Sequence, residues 1–180
     1  LPTDRPKGTI ALKGARLITM NNDKVIEDGT IIINGNRITN LGSSDAVNIP
    51  DDAKIFDVRG KTIMPGLVDA HAHLAFGVTT THDPSANTEV VFSQSEMVKA
   101  GTMVGPRIFS TGVILYGADG DFKATVNNLE DARSAILRTK AFGAFSVKSY
   151  NQPRRDQRQQ IIKAAHEKQI EVVPEGGSTF

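Results

Sequence analysis

The chain has no cysteine, which excludes disulfides and thiolate metal ligands and leaves His, Asp, Glu or a modified Lys to hold any cation. Neither sign of charge is in excess: 21 Lys and Arg stand against 20 Asp and Glu, a net charge of +1. That balance gives no electrostatic footprint for nucleic acid or an anionic membrane. No run of about 18 apolar residues exists, so no membrane-spanning helix is expected. The polar start Leu1-Pro2-Thr3-Asp4-Arg5-Pro6-Lys7 also lacks the apolar stretch of a signal peptide. Compartment is left open. With 39% hydrophobic residues over 180 positions the chain can bury a core, and small neutral or mixed-charge molecules are its natural partners.

What the chain does carry is a change of rhythm near Gly60. Up to Val58 the pattern is short β-runs at Ala11 to Met20, Gly29 to Asn34, Arg37 to Leu41 and Lys54 to Val58. Asn21-Asn22-Asp23, Asn34-Gly35-Asn36 and Gly42-Ser43-Ser44 separate them, and Asn34-Gly35 is the best hairpin signal. Residues 1–60 are expected to be a small all-β packing module. Beyond Gly60, strand candidates Thr62 to Ala70, Val78 to His82, Arg107 to Thr111, Ala144 to Ser149 and Ile170 to Pro174 alternate with helical stretches. The helices fall at Thr88 to Ala100, Leu129 to Phe142 and Pro153 to Lys168. Such alternation predicts βαβ units and a parallel sheet. Asn128 should cap the second helix, with Leu129, Ala132, Ile136 and Leu137 as its apolar stripe. Asn151 should cap the third, with Ile161, Ile162 and Ala165 inward and Arg154, Arg155 and Arg158 on a solvated face.

Chemistry concentrates at strand ends. Pro65-Gly66-Leu67-Val68-Asp69-Ala70-His71-Ala72-His73 reads as an apolar, buried strand ending in two histidines one residue apart. Strand residues two apart share a face, so His71 and His73 can aim two imidazoles at one divalent cation, with Asp69 beside them. In Ala144-Phe145-Ser146-Val147-Lys148-Ser149-Tyr150 the same alternation puts Ser146, Lys148 and Tyr150 together. A buried lysine is costly as a cation unless paired. It either pairs with a carboxylate or, as a neutral amine, adds carbon dioxide to become an anionic carbamate. His82 closes the second strand and is either a substrate contact or a hydrogen-bonded structural residue. Tyr116 opens the glycine- and acid-rich segment Leu115 to Phe122, where it could touch substrate, while Asp119 and Asp121 read as loop acids without calcium-loop spacing. His166 reads as surface.

The stretch Gly60-Lys61-Thr62-Ile63-Met64-Pro65-Gly66-Leu67-Val68-Asp69-Ala70-His71-Ala72-His73 resembles the linker and first barrel strand of the metal-dependent amidohydrolase superfamily. Gly77-Val78-Thr79-Thr80-Thr81-His82-Asp83, Gly105-Pro106-Arg107-Ile108 and Ser146-Val147-Lys148-Ser149-Tyr150 add to the resemblance, which points to its prolidase-like and imidazolonepropionase-like branch. It implies an α/β fold: a partial (β/α)8 barrel of about five strands from residue 61, preceded by part of a small β-sandwich. It also implies one or two divalent ions, zinc above all, held by His71, His73 and Lys148, the last as a bridging carboxylated lysine. The family's usual histidine after the fifth strand is replaced here by Glu175, which becomes either a substitute ligand or a carboxylate that pairs with Lys148 or caps a turn. Tyr150 matches no family role securely; a tyrosine near the carbonyl can polarise it.

The resemblance further implies hydrolysis of an amide or dipeptide-like C–N bond in a small-molecule substrate by metal-activated water. The general base and a further histidine belong to later strands not found in this sequence, so the 180-residue chain by itself is expected to be nearly inactive. Two alternatives stay open: a mononuclear deaminase or imidazolone-type ring hydrolase with unmodified Lys148, and a non-catalytic binding or assembly module. A complete barrel takes about 250 residues, and the abrupt ends at Leu1 and Phe180 suggest an excerpt. A half-barrel leaves strand edges and an apolar face bare, inviting either the missing half or a second copy. The purified chain is therefore predicted to self-associate or to be poorly ordered near residues 170–180; a clean monomer in light scattering would count against this.

Overall fold

The computed structural model describes residues 7–71 and 77–175 of a mixed α/β chain that divides into two compact units, one ending at Gly66 and one from Leu67 onward. The first unit contains β1 (Thr9–Ile18), β2 (Val25–Asn34), β3 (Arg37–Ser43), β4 (Lys54–Asp57) and β5 (Thr62–Ile63). They form one sheet in the order β3-β2-β1-β4, with β5 also on β1. β1, β2 and β3 are antiparallel, whereas β4 and β5 run parallel to β1. Asn34 pairs with Arg37 across a two-residue turn that takes glycine first, Gly35 having φ +57°. The register of β1 against β2 shifts between Lys13 and Ala15, at Gly14 with φ +89°. Positions four apart on a regular strand share a face, but the extra residue sends Ala11 into a cluster with Ile32 and Val47, and Ala15 into another with Leu17 and Ile31.

The second unit alternates strands and helices: β6 (Leu67–Asp69), β7 (Val78–Asp83), α1 (Thr88–Ala100), β8 (Arg107–Ser110), β9 (Ile114–Tyr116), β10 (Lys123–Thr125), α2 (Leu129–Ala141), β11 (Ser146–Ser149), α3 (Arg155–Lys168) and β12 (Glu171–Pro174). Two sheets result, β6-β7-β8 and β10-β9-β11-β12, and every pairing in both is parallel. The parallel arrangement expected from the strand–helix rhythm is present. β9 and β10 were not expected, because Ile114–Tyr116 is three residues long and a loop rich in glycine and aspartate follows it.

The strand expected over Thr62 to Ala70 is two strands. Met64, Pro65 and Gly66 lie outside either one; Thr62–Ile63 pairs with β1, and Leu67–Asp69 pairs with β7. Nor is β6 buried: Leu67 is 55% and Val68 68% exposed. Among the described residues β6 is the edge of its sheet, paired with parallel β7.

The core of this unit joins β9 and β11 to α2 and α3: Leu115, Val126, Ala132, Ala135, Ile136, Val147, Ile161, Ala164, Ala165 and Ile170. All four residues of β11 are buried. Two expected core residues turn outward, Leu137 at 49% and Ile162 at 40% exposure. Ala135, Thr139, Gln157 and Ala164 take the inner positions, since their short or hydrogen-bonded side chains let the helices approach. Arg133 of α2 donates Nε to Glu167 Oε2 at 2.7 Å and Nη2 to Oε1 at 2.8 Å, a fork that ties α2 to α3 and holds the Glu167 carboxyl below its ordinary range. No described helix is long and apolar enough to cross a membrane.

Asn128 caps α2 as expected, its side chain accepting the Glu130 and Asp131 amides at 2.9 Å each. Asn151 does not cap α3. That helix starts at Arg155, and the Gln157 side chain folds back to accept the Arg154 amide at 3.1 Å. Asn128→Ala should lower stability by about 1 kcal/mol in urea unfolding; an unchanged midpoint would show that tertiary packing alone holds the start of α2.

Candidate functional site

The parallel strand β11 organises the candidate site. Its neighbours are β12, with Lys148 opposite Val173, and β9, with Ser149 opposite Leu115. Lys148 points into this packing with its side chain 5% exposed, and its ammonium pairs with Glu175 Oε2. Glu175 follows the last residue of β12, and its backbone is fixed from two sides. The Glu175 amide donates to Ser149 O at 2.9 Å, and its carbonyl accepts from Arg158 Nη2 at 3.0 Å. Arg158 also donates to Tyr150 O at 3.1 Å. Arg158 is thus no solvated residue, contrary to the sequence expectation: it crosses from α3 to bind the carbonyls that leave β11 and β12. Arg154 is on the surface, paired with Asp156.

Aromatic rings stand beside this pair. Lys148 Nζ is 5.4 Å from the centroid of Tyr150, and the Tyr150 ring meets Tyr116 edge-on at 5.8 Å and 72°. On the other side of Tyr116, Lys123 Nζ lies 4.5 Å from the ring centroid. Two cations thus flank one aromatic pair. Asp119 is engaged by the Thr125 hydroxyl at 2.6 Å, which ties the loop to β10.

His82 Nε2 shares a hydrogen bond of 2.9 Å with Ser146 Oγ, and its ring rests on Phe145 at 5.4 Å between centroids. Ser146 and Lys148 are two residues apart on β11, so His82 meets the same face about 6.6 Å further down the strand. It lies beneath the level of Lys148 rather than at the mouth. His71 is exposed at the end of β6, its amide donating to Asp69 Oδ1 at 3.0 Å. His73 lies outside the described residues. Among the described residues, no three His, Cys, Asp or Glu side chains gather as a metal site. The structure therefore brings together Lys148, Glu175, Tyr150 and Tyr116, places His82 below them, and leaves His71 in the turn after β6.

No family model matches the chain. Imidazolonepropionase of Staphylococcus aureus (strain Newman) is 36% identical over 83 residues, which is 46% of this chain and 18% of that protein. Among solved structures, a putative prolidase from Bifidobacterium longum superposes with a TM-score of 0.78 at 24% identity, over 93% of this chain and 49% of the other. Phenylurea hydrolase B gives a TM-score of 0.77 at 18% identity, over 94% of this chain and 55% of its own. The chain shares its fold with these solved hydrolases and spans about half their length.

Two further residues shape the candidate site. Arg158, expected on a solvated face, binds main-chain carbonyls instead, and Ser146, the partner of His82, carried no signal beyond its place on the lysine's face. Neither could be found without the parallel pairing that fixes which strand ends are neighbours.

The contact between Lys148 and Glu175 is an ion pair without a directed hydrogen bond to Oε2, which is itself buried. Coupling between the two is measurable by a thermodynamic cycle of Lys148→Met, Glu175→Gln and the double variant in urea unfolding. A coupling of about 1–2 kcal/mol is expected, reduced from a fully buried pair because the Glu175 side chain is 35% exposed. Strict additivity would show that the pair contributes nothing to stability.

Proposed function

We propose that this chain belongs to the amidohydrolase superfamily and carries part of a metal-dependent site that hydrolyses carbon–nitrogen bonds of amide or dipeptide-like small molecules. The observation that carries the reading is the buried amine of Lys148 beside the Glu175 carboxylate, at the C-terminal ends of neighbouring parallel strands, where α/β barrels place their chemistry. We read β6 to β12 as the leading part of a (β/α)8 barrel and residues 1–60 as part of a β-sandwich. Related folds whose structures hold N-methylphosphonate-L-proline, in a prolidase, or methionine, in a Xaa-Pro dipeptidase, support a ligand of amino-acid character.

The donor chemistry suits a divalent cation. Glu175 Oε2 is buried against the Lys148 ammonium, and carboxylate oxygen and imidazole are both ligands that zinc accepts. His71, His73, Lys148 and Glu175 would hold one or two such ions. A bound ion would lower the pKa of water and polarise the scissile carbonyl. For the bridging role the Lys148 amine must first leave Glu175 as a neutral base; its lone pair then attacks the carbon of carbon dioxide and its proton passes to solvent. Tyr116 and Tyr150 would wall the substrate cleft, and His82 would hold the base of β11 through Ser146.

A second reading, a mononuclear deaminase or imidazolone-type ring hydrolase with unmodified Lys148, is favoured by one observation: 83 residues of this chain are 36% identical to an imidazolonepropionase.

Elemental analysis of the zinc-loaded chain separates these readings. Metal is expected on the wild type and is expected to be lost from the His71→Ala, His73→Ala double variant with its far-ultraviolet circular dichroism unchanged. Two ions per chain would favour the carbamate and one ion the mononuclear site. Absence of bound metal would sink the proposal that these residues form a centre by themselves, and dipeptide turnover by the chain would overturn its expected inactivity.

A further inference from the structure

The chain has two tyrosines and no tryptophan, and both tyrosines meet each other beside Lys148. Tyr116 is the last residue of β9. After it the chain leaves the sheet through exposed residues 118–122 and returns as β10, and at the far end the Val126 amide donates to Tyr116 O at 2.7 Å. The excursion is closed on itself by the pairing of β10 with β9 and by the Thr125–Asp119 hydrogen bond.

One side chain from another element ties both ends of the excursion to α3. Gln157, in the first turn of α3, is completely buried. Its Nε2 donates to Gly117 O at 3.3 Å and to Val126 O at 3.1 Å, while its Oε1 accepts the Arg154 amide at 3.1 Å. A Cβ on Gly117 would fall 2.0–2.2 Å from the Gln157 amide atoms, so glycine is required for this approach. Gln157 also opens the inward stripe continued by Ile161, Ala164 and Ala165, where leucine would fill the space. A buried amide is costly unless its donors and acceptor are engaged, and here they are. Nearby, Gln152 Nε2 donates to Leu115 O at 2.7 Å, fixing the strand just before Tyr116.

We infer that Gln157 is a positioning residue: it clamps both ends of the 117–126 loop to α3 and thereby sets the Tyr116–Tyr150 wall beside Lys148. That this wall faces substrate rests on the hydrolase reading above; the clamp does not.

Gln157→Glu in the 180-residue chain isolates the clamp. Glutamate keeps the acceptor for Arg154 but at neutral pH offers no donor to Gly117 O or Val126 O. With no tryptophan present, near-ultraviolet tyrosine dichroism and quenching of tyrosine fluorescence report on Tyr116 and Tyr150 alone. The variant is expected to lose most of the tyrosine dichroism and to become more quenchable while its far-ultraviolet spectrum stays native. On acidification the signal should partly return. A carboxyl facing carbonyl oxygens favours its protonated form, and that form regains a donor.

Ile161→Val, a turn further along the same helix, is the control for simple loss of stability. It should lower the melting temperature and leave the tyrosine signals alone. Wild-type tyrosine signals in Gln157→Glu, or equal changes in Ile161→Val, would overturn the inference. If Gln157→Glu fails to fold, Gly117→Ala asks the same question from the loop side, and a wild-type tyrosine signal there would also overturn it. None of these readouts needs metal or substrate, so the clamp and the hydrolase reading fail separately.

Discussion

An ammonium group shut away from water needs an opposing charge, and around Lys148 much of the second unit is arranged to supply one. β11 is buried along its whole length, so the lysine cannot extend to solvent. Pairing with β12 brings Glu175 to the strand end, and Arg158 holds the carbonyls of Tyr150 and Glu175 so that the carboxylate has a fixed base. In such surroundings replacing the lysine alone by an apolar residue is costly, because its partner carboxylate would be left behind.

Much of the architecture was legible because it is written in periodicities. The helices emerged within a few residues of their observed spans, and Asn128 and Gly35 marked a cap and a turn through local backbone chemistry that no tertiary contact needs to supply. Where the reading failed, tertiary geometry had the casting vote. Leu137 and Ile162 are as apolar as their neighbours, yet they face outward because Ala135 and Ala164 allow α2 and α3 to come close. β9 exists through its pairings with β10 and β11, and three residues before a glycine-rich loop give no period to detect. Pro65 and Gly66 divide what composition alone reads as one strand.

The candidate site was legible in kind and less so in connection. Lys148 and Glu175 stood out as chemistry-bearing residues, and their pairing was one of the outcomes considered. Arg158 and Gln157 did not stand out, since a guanidinium that binds backbone carbonyls and an amide that spans a loop look, in sequence, like any polar residue on a helix. Both act through main-chain atoms of other elements, and main-chain acceptors have no sequence signature.

The exposure of β6 bears on how the His71 end of this protein responds to heat and ligand. A strand of three residues, paired with β7 and bare on its apolar side chains, is expected to open at lower free energy than buried β11. Its amides are then expected to exchange with solvent sooner than those of β11. Any cation that His71 helps to capture must therefore give up part of its binding free energy to hold that strand in place, which makes affinity there a measure of local order as much as of ligand chemistry.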